Sequence, residues 1–460
     1  MNIPIAPERV LPTLNADGTR NRIRPRLYTG RLHRARRVVG LTLMTLFVGL
    51  PFLRVGGKPA VLLDVVNRHF VLFGRTFLAT DGVLLMLLML SIFLAVLLVT
   101  ALVGRAWCGW ACPQTVYMEF LFRPLERLFE GSREQQLQID RNGMSARRAA
   151  KNVVYLGLAF VLANVFLSYF VGVTALKHWV LEAPAQHPGG FSVVLATTGL
   201  VFFDFAYFRE QMCTVICPYA RLQSVLLDPK SLLIGYDAKR GEPRSKGKAK
   251  LTGHGDCIDC RACVTTCPTG IDIREGLQLE CIACGQCADA CDSIMSRISK
   301  PPGLIRYSSQ QALVTSTPTR MLRPRVVIYA VVLLGMLLGL LLVGQTRTAS
   351  EVTILRGIGA PFSQSGSDVV NQLRLKVQNR SDKPQVYTLE LLGVPGSKLV
   401  APELPLSVPA GEQAAANLFI IAPSSSISGR RPVQLKVAAT HEPSQLLSYT
   451  LLGPEGNAEP

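Results

Sequence analysis

Five apolar segments, separated by polar and basic stretches, dominate the first three quarters of the chain. Two of them, Val83–Val103 and Val326–Gly344, carry no charge and have the length of about 20 residues that crosses a bilayer. Three weaker segments are Val38–Leu53, Val153–Ala175 and Phe191–Phe208. Buried helices of a soluble domain are the alternative for these three. Because the two strong segments already commit the chain to a membrane, the pattern predicts five spans.

The basic residues between these segments predict the orientation of the spans. Residues 1–37, 105–151 and 209–325 hold 34 of the 49 Lys and Arg residues, and five spans place all three stretches on one side. Lys and Arg near span ends stay cytoplasmic, so the N-terminus is predicted inside and the tail 345–460 outside. The net charge of +18 is then explained by basic residues in the predicted cytoplasmic segments. Nucleic acid is therefore not an expected partner. No signal peptide is expected, since a long Arg-rich stretch precedes the first apolar segment.

Composition excludes a disordered chain and a disulfide scaffold. Hydrophobic residues make up 49% and charged residues 17%, against roughly 25% charged in ordinary soluble domains. All twelve cysteines lie between Cys108 and Cys291, on the predicted cytoplasmic side or at its membrane boundary. Thiols in a reducing compartment remain available for metal.

Eight of the cysteines form two identically spaced runs. Residues 257–268 read CIDCRACVTTCP and residues 281–292 read CIACGQCADACD, each with the C-x2-C-x2-C-x3-C spacing of bacterial two-cluster ferredoxins. In that pattern the fourth cysteine of each run ligates the other cluster. The predicted ligands of the first [4Fe–4S] cluster are Cys257, Cys260, Cys263 and Cys291. Those of the second are Cys281, Cys284, Cys287 and Cys267.

The alternative for these runs is a pair of zinc sites, because C-x2-C pairs are common in zinc ribbons. Eight cysteines in this register favour the clusters. The second run ends in Asp292 where the ferredoxin pattern has Pro, and the first keeps Pro268. Because Pro is not a ligand, the missing Pro is expected to change a turn after the second run and not the binding of a cluster. Two clusters in one small module indicate electron transfer.

The remaining four cysteines form two C-x3-C-P motifs, each directly after an apolar segment. They are Cys108 and Cys112 in RAWCGWACPQT, and Cys213 and Cys217 in FREQMCTVICPYARLQ. Residues i and i+4 of a helix share a face, and Pro113 and Pro218 either disrupt that helix or begin a new one. Since both motifs lie at one membrane face, the four thiols could converge. Soft thiolates select Cu(I), zinc or iron–sulfur centres, while a redox-active dithiol and simple buried cysteines are the alternatives.

Two further groups of polar residues are candidates for a role. Asp204 lies within an apolar segment, and such a carboxyl is a functional hypothesis by default; an ion pair with Arg209 or Arg105 is the other interpretation. Residues His69, His178, His187 and Glu182 fall on the predicted outward side. They could ligate a metal, although scattered histidines are more often solvated.

The tail has the pattern of an all-β domain. Leu373, Leu375 and Val377 alternate with polar residues, as do Val433, Leu435 and Val437. Several short strands over about 110 residues, separated by turn residues, favour a β-sandwich. Nothing in the tail is typical of catalysis, so a docking role is expected.

These patterns together predict a multi-pass α-helical membrane protein of about five spans. It carries an α+β two-cluster ferredoxin module and a C-terminal all-β sandwich. The predicted parts are a basic N-terminus (1–37), a four-span domain with both C-x3-C-P motifs (38–230), the ferredoxin module with linkers (231–325), a fifth span (326–344) and the sandwich (345–460).

Four motifs together resemble the CcoG/FixG/RdxA family over essentially the whole chain. They are WCGWACPQT, FREQMCTVICPYARLQ, the eight-cysteine module that begins GDCIDC, and GLIRY at Gly303–Tyr307. Members of this family are accessory proteins of cbb3-type cytochrome c oxidase assembly. The resemblance implies a bacterial inner-membrane protein with two cytoplasmic [4Fe–4S] clusters and a periplasmic immunoglobulin-like domain.

The implied activity is reduction of Cu(II) to Cu(I) for insertion into the oxidase. The resemblance makes Cys108, Cys112, Cys213 and Cys217 the copper or redox sites, and oxidase subunits or copper chaperones the partners. Two other functions stay open. One is an electron relay between the quinone pool and an outward reductase, which a flavin-binding domain would favour and no motif indicates. The other is a non-catalytic assembly scaffold that uses the sandwich to hold oxidase subunits. The sequence does not identify the electron donor.

Overall fold

The computed structural model divides into two compact units. It describes residues 12–13, 21–66, 69–78, 81–143, 145–245, 254–315, 322–346, 348–381, 383–427 and 429–454. The first unit lies within 1–67 and 86–339, and the second within 68–85 and 340–460.

Five helices in the described ranges are long and apolar enough to cross a membrane. They are Arg31–Phe52 (span 1), Gly82–Val103 (span 2), Ala146–Val171 (span 3), Pro188–Phe208 (span 4) and Pro324–Gln345 (span 5). All five predicted segments are therefore confirmed as apolar helices. Their buried fraction within the protein is low, at 6% for span 5 and 33% for span 3, as expected for helices that face lipid.

Span 1 begins at Arg31, well before the predicted Val38. Arg, Leu and Ala are good helix formers, and the carboxylate of Asp289 satisfies the free N–H groups at this helix start. It accepts hydrogen bonds from the backbone N–H of Leu32 at 3.1 Å and of His33 at 2.6 Å. Since Asp289 belongs to the second cysteine run, this extension ties span 1 to the ferredoxin module.

The chain between the spans forms short helical pieces. The α-helices are Ala106–Trp110, Pro113–Tyr117, Arg123–Glu130, Arg133–Asn142, Val173–Leu181, Pro218–Leu226, Ala238–Gly241, Ala262–Thr265, Gln286–Arg297 and Gln310–Thr315. The π-helical turns are Met118–Phe122 and Met212–Ile216, with a third, Asp204–Phe208, forming the end of span 4, and Ile273–Glu275 is a 3-10 turn.

Both C-x3-C-P motifs break at the second cysteine. Cys112 and Cys217 are N-cap residues with non-helical backbone, and Pro113 and Pro218 open new helices, where the missing N–H of Pro has no cost. The expectation of one continuous helical face for each pair is therefore wrong. The other prediction from the same prolines, a fresh helix start, is confirmed.

The ferredoxin module is built on a two-stranded antiparallel ribbon. Leu232–Tyr236 pairs with Ile305–Ser309, with Ile234 opposite Tyr307. Ile234, Met295, Leu304 and Ile305 are almost fully buried around the cysteines. The GLIRY motif thus supplies one strand and part of the core that positions the cysteine runs.

The second unit contains the predicted β-sandwich. One sheet has the order Lys398–Val400, Gln413–Pro423, Asp368–Asn379 and Ser350–Arg356, with Ser363–Ser365 also paired to Asp368–Asn379. The other has the order Leu406–Val408, Gln385–Leu392, Arg430–Ala439 and Glu442–Leu452. The alternating residues Leu375 and Leu435 are completely buried in the shared core. Period-two alternation therefore identified the inward face of both sheets correctly.

Short strands that the sequence analysis did not predict lie between spans 1 and 2. They are Arg54–Val55, Lys58–Pro59, Val61–Asp64, His69–Leu72 and Arg75–Leu78. Arg54–Val55 pairs with Lys58–Pro59, and His69–Leu72 pairs with Arg75–Leu78.

Candidate metal centres

The two cysteine runs share one backbone conformation. Asp259 and Arg261 in the first run have positive φ angles of 51° and 52°, and Ala283 and Gly285 at the equivalent positions of the second have 50° and 77°. Three of these four residues carry a side chain, for which left-handed backbone is unfavourable. Such a conformation persists where the surroundings over-determine it. The repeat in sequence is thus a repeat in structure that wraps each loop around its thiols.

The fold brings the fourth cysteine of each run close to cysteines of the other run. Five cysteines line one cavity, namely Cys267, Cys281, Cys284 and Cys287 together with Cys263 of the first run. Burial, followed by the nearby Cys263, Asp292, Cys260 and Cys257, raises the pKa of Cys291 to about 12, so Cys291 lies near the first three cysteines of the first run. Because Cys263 is near cysteines of both predicted sets, the assignment of each cysteine to one cluster stays a prediction.

The two thiol groups fit a pair of [4Fe–4S] clusters by their chemistry. Each offers four soft sulfur donors, largely buried among apolar side chains such as Ile234 and Ile273. In the second run, the backbone N–H of Ala283 also points to the Cys281 sulfur, at 3.4 Å. Hydrogen bonds to sulfur and exclusion of solvent are the means by which proteins tune such clusters.

The four C-x3-C-P thiols, hereafter the edge thiols, come together. Cys108 is buried, donates a hydrogen bond to Gln223 Oε1 at 3.1 Å, and packs with Cys213. Burial raises the pKa of Cys213 to about 12, and the nearby thiols of Cys112, Cys108 and Cys217 contribute to that shift. Two motifs about 100 residues apart thus form one cluster of soft donors.

The spacing of these donors is not that of a mononuclear site with three or more ligands. No three His, Cys, Asp or Glu side chains in the described ranges are close enough together to hold one metal ion. Soft thiolates such as the edge thiols favour Cu(I), zinc or iron–sulfur centres.

Gly109 brings the edge thiols into contact with the second cysteine run. A Cβ at this position would lie 2.5 Å from the carbonyl oxygen of Ile282 and 2.8 Å from Cα of Cys284. Trp110 next to it donates to the Tyr307 hydroxyl at 2.8 Å, which in turn donates to the Ala283 carbonyl at 2.6 Å. Cys108 consequently packs against Ile282 and Cys284, so edge thiols and cluster ligands are neighbours.

Replacement of Gly109 by Ala tests this close approach. Because the added methyl group meets backbone atoms that cannot rotate away, we expect a loss of about 1–3 kcal/mol in stability and slower electron exchange between the clusters and the edge thiols. Thermal unfolding of the purified protein measures the first effect. Gly157→Ala in span 3 is the matched control, since a Cβ there meets nothing within 4 Å. Equal unfolding temperatures for the two variants would contradict the tight contact.

Asp204 does not pair with either arginine suggested from the sequence. Its Oδ1 accepts a hydrogen bond from Gln114 Nε2 at 3.0 Å. Arg209 pairs with Glu126 and Glu210 instead, and Arg105 donates to the backbone carbonyl of Ala220. The predicted ion pair is therefore wrong, and Asp204 is linked through Gln114 to the motif that contains Cys112.

Sequence reasoning also missed a buried ion-pair network beside the edge thiols. Glu126 and Glu130 are each contacted by Arg24 and Lys151, and Glu126 also by Arg209.

A second buried carboxylate, Glu119, also has basic neighbours. Burial opposes ionisation of Glu119, but Arg123 and Arg36 lower its pKa to about 2. Gln286 of the second run donates to Glu119 at 2.7 Å. Regularly spaced acidic residues in LERLFEGSRE were the available signal, but their partners come from distant segments.

The histidines that were predicted on the outward side are only partly brought together. His187 Nε2 lies 2.5 Å from Glu182 Oε2, and His178 Nδ1 lies 3.9 Å from Glu182 Oε1. The His178 side chain is 76% exposed, which fits the solvated interpretation. The side chain of His69 lies outside the described residues.

Both cysteine-containing regions and the tail match known protein families. A 4Fe-4S dicluster domain matches residues 208–310, and a 4Fe-4S binding domain matches residues 85–131. The immunoglobulin-like fold at the C-terminus of FixG matches residues 340–451. Protein RdxA of Cereibacter sphaeroides is 33% identical over 428 residues, which cover 88% of this chain and 90% of RdxA. The chain belongs to the FixG/RdxA family.

Other relatives agree with this assignment. Nitrogen fixation protein FixG of Rhizobium meliloti is 32% identical over 429 residues, covering 83% of this chain and 81% of FixG. Ferredoxin-type protein NapH of Haemophilus influenzae is 22% identical over 286 residues, covering 57% of this chain and 88% of NapH. This FixG/RdxA-family chain is thus a membrane iron–sulfur electron-transfer protein with a C-terminal immunoglobulin-like domain. The two 4Fe-4S matches also span the edge thiols, one pair each.

Proposed function

We propose that this FixG/RdxA-family protein reduces Cu(II) to Cu(I) during assembly of a cbb3-type cytochrome c oxidase. The observation that carries the proposal is the packing of Cys108 and Cys213 against Ile282 and Cys284. It puts soft donors suited to Cu(I) beside the thiols assigned to the second cluster. Oxidase subunits or copper chaperones are the proposed recipients.

The chemistry balances with one electron per copper ion. An iron–sulfur cluster supplies single electrons when bound, and Cu(II) takes up one to become Cu(I). Thiolates prefer Cu(I) to the harder Cu(II), so the edge thiols increase the driving force by binding the product more tightly. Cys257, Cys260, Cys263 and Cys291 are the proposed ligands of one cluster. Cys267, Cys281, Cys284 and Cys287 are those of the other.

A relay between the quinone pool and an outward reductase is the second candidate. The similarity to ferredoxin-type protein NapH over 57% of the chain supports it. A ferredoxin-type relative favours electron transfer without requiring copper as the electron acceptor. In this function the edge thiols would be a redox-active dithiol or metal centre on the path, and no copper would be consumed.

Copper-dependent re-oxidation separates these functions. The full-length protein is purified anaerobically, reduced with dithionite, freed of excess reductant, and mixed with Cu(II) while cluster absorbance and Cu(I) are recorded. We expect re-oxidation with one Cu(I) formed per electron lost. Re-oxidation by a quinone analogue but not by Cu(II) would favour the relay. If neither Cu(II) nor the quinone analogue re-oxidises intact clusters, the non-catalytic assembly scaffold becomes the favoured function.

The proposed location is the bacterial inner membrane, with the N-terminus and clusters in the cytoplasm and the immunoglobulin-like domain in the periplasm. The charge distribution supports this orientation. We expect a membrane-impermeant thiol reagent to label Ser425→Cys, an exposed turn position in the tail, in cells with a permeabilised outer membrane. Native cysteines should react only after lysis under denaturing conditions. Labelling of the unmodified chain from outside would reverse the orientation.

A further inference from the structure

Arg36 is a buried cation whose partner is incomplete. It lies near the start of span 1 and is 0% exposed. Its Nε donates to the Gly109 carbonyl at 2.8 Å, and its guanidinium lies 5.5 Å from the ring centre of Phe120. Among the described residues, neither Nη1 nor Nη2 has a hydrogen-bond partner. Arginine is almost never fully buried unpaired, so this guanidinium requires an anion that the side chains around it do not supply.

The carboxylate within range of Arg36 is already engaged. Glu119 accepts from Arg123 Nη1 at 2.6 Å through Oε2 and from Gln286 Nε2 at 2.7 Å through Oε1. It therefore lowers the electrostatic cost of burying Arg36 without saturating its donors. The four remaining N–H bonds of the guanidinium are left for another acceptor.

Arg36 lies beside the loop that carries the second thiol group. Arg36 is bonded to Gly109, and Gly109 touches the backbone of Ile282 and Cys284. The charge of Arg36 acts on Cys284 and on Tyr307, which bonds the same loop. A [4Fe–4S] cluster with four thiolate ligands is an anion with several sulfur acceptors. It meets both requirements of the unpaired guanidinium.

The first thiol group has a different electrostatic environment. Arg274, the cation that acts on Cys263, is paired with Asp272 at 2.6 Å and with Asp259 at 2.5 Å. Two carboxylates more than neutralise that guanidinium. Beside the second group, Arg105 also acts on Cys281 and donates to the Ala220 carbonyl; Glu280 lies within its electrostatic range, but no carboxylate oxygen in the described part of the chain lies within 4 Å of it. The arginines beside the second group are thus less closely paired with carboxylates than Arg274 is.

We propose that Arg36 is the counter-charge of the cluster held by Cys267, Cys281, Cys284 and Cys287 and raises its reduction potential above that of the other cluster. The proposal rests on the ligand assignment given above. Reduction adds one negative charge, and a cation in a low-dielectric interior stabilises the reduced form more than the oxidised form. Net charge and hydrogen bonds to sulfur are established determinants of cluster potential. The cluster of higher potential is then the one beside the edge thiols.

A redox titration of the full-length protein tests this assignment without copper, so its outcome is independent of the proposed reductase activity. Both clusters are titrated and followed by electron paramagnetic resonance, and Cys260→Ser identifies the signal of the first. In Arg36→Gln we expect the equilibrium constant for reduction of the second cluster to fall at least tenfold, which is 59 mV for one electron. The first cluster should keep its potential. Arg36→Lys retains the charge, so its shift should be smaller.

Arg37→Gln is the matched control, because it removes the same charge from an exposed position one residue along the helix. Its potentials should equal those of the parent. Unchanged potentials in a fully loaded Arg36→Gln protein would overturn the proposal. If that variant loses iron, selective loss of the second cluster supports the counter-charge role, whereas loss of both clusters in the Gln and Lys variants alike would assign Arg36 a structural role instead.

Discussion

Cys217→Ala is expected to abolish copper reduction while both iron–sulfur clusters remain in place. Cys217 lies outside the ferredoxin register but within electrostatic range of Cys213 and Cys108. Removing it leaves Cys213 as the single thiol of its motif, so a Cu(I) ion held between the two thiols of that motif would lose one of its two soft ligands. Cys112→Ala should have the same effect, because it removes the corresponding thiol of the other motif. Electrons would still load the clusters, but copper would no longer be held beside them.

The measurement is the rate of cluster re-oxidation by Cu(II), with iron per chain determined on the same sample. Ile216→Ala is the matched control, since Ile216 precedes Cys217, is 55% exposed and carries no thiol. It should re-oxidise at the parental rate. An unchanged rate in Cys217→Ala would mean that copper meets the clusters elsewhere. Loss of iron would mean instead that the edge thiols help to hold the ferredoxin module.

Cys260→Ser is expected to remove the first cluster and to destabilise the second. The crossed grouping is the reason. Helix Gln286–Arg297 carries Cys287 of one group and Cys291 of the other, so it is held from both sides. Without the first cluster, one of these attachments is lost. Iron content should fall from about eight per chain, the complement of two [4Fe–4S] clusters, to half or less.

Cys112→Ser provides the control for this variant, because it makes the same chemical change outside the register and should keep its full iron content. The electron paramagnetic resonance signal that survives in Cys260→Ser should be that of the second cluster, with reduced occupancy. A full complement of iron in Cys260→Ser would show the ligand assignment to be incorrect.

The sequence predicted the individual helices and strands of this protein better than it predicted where the helices end and which segments are in contact. Apolar length identified all five spans, and alternation identified the inward residues of the sandwich, because both signals are local and depend on side-chain polarity alone. Helix ends were less predictable. Span 1 starts early because Asp289 caps it from another segment. Proline showed where each C-x3-C-P motif breaks, although the shared helical face inferred from i and i+4 spacing does not exist.

The sequence by itself determined the chemistry: eight cysteines in ferredoxin register, four more in two matching motifs, and five apolar segments long enough to cross a membrane. Residue type and spacing along the chain are sufficient for that. Only the tertiary structure decided which thiols are neighbours. Gly109 against Cys284 and the unpaired donors of Arg36 depend on segments that are distant in the chain. Burial makes these contacts energetically important. A charge at the surface is solvated by water, whereas a buried charge needs a partner within the protein. A buried side chain also cannot move into solvent to relieve a clash.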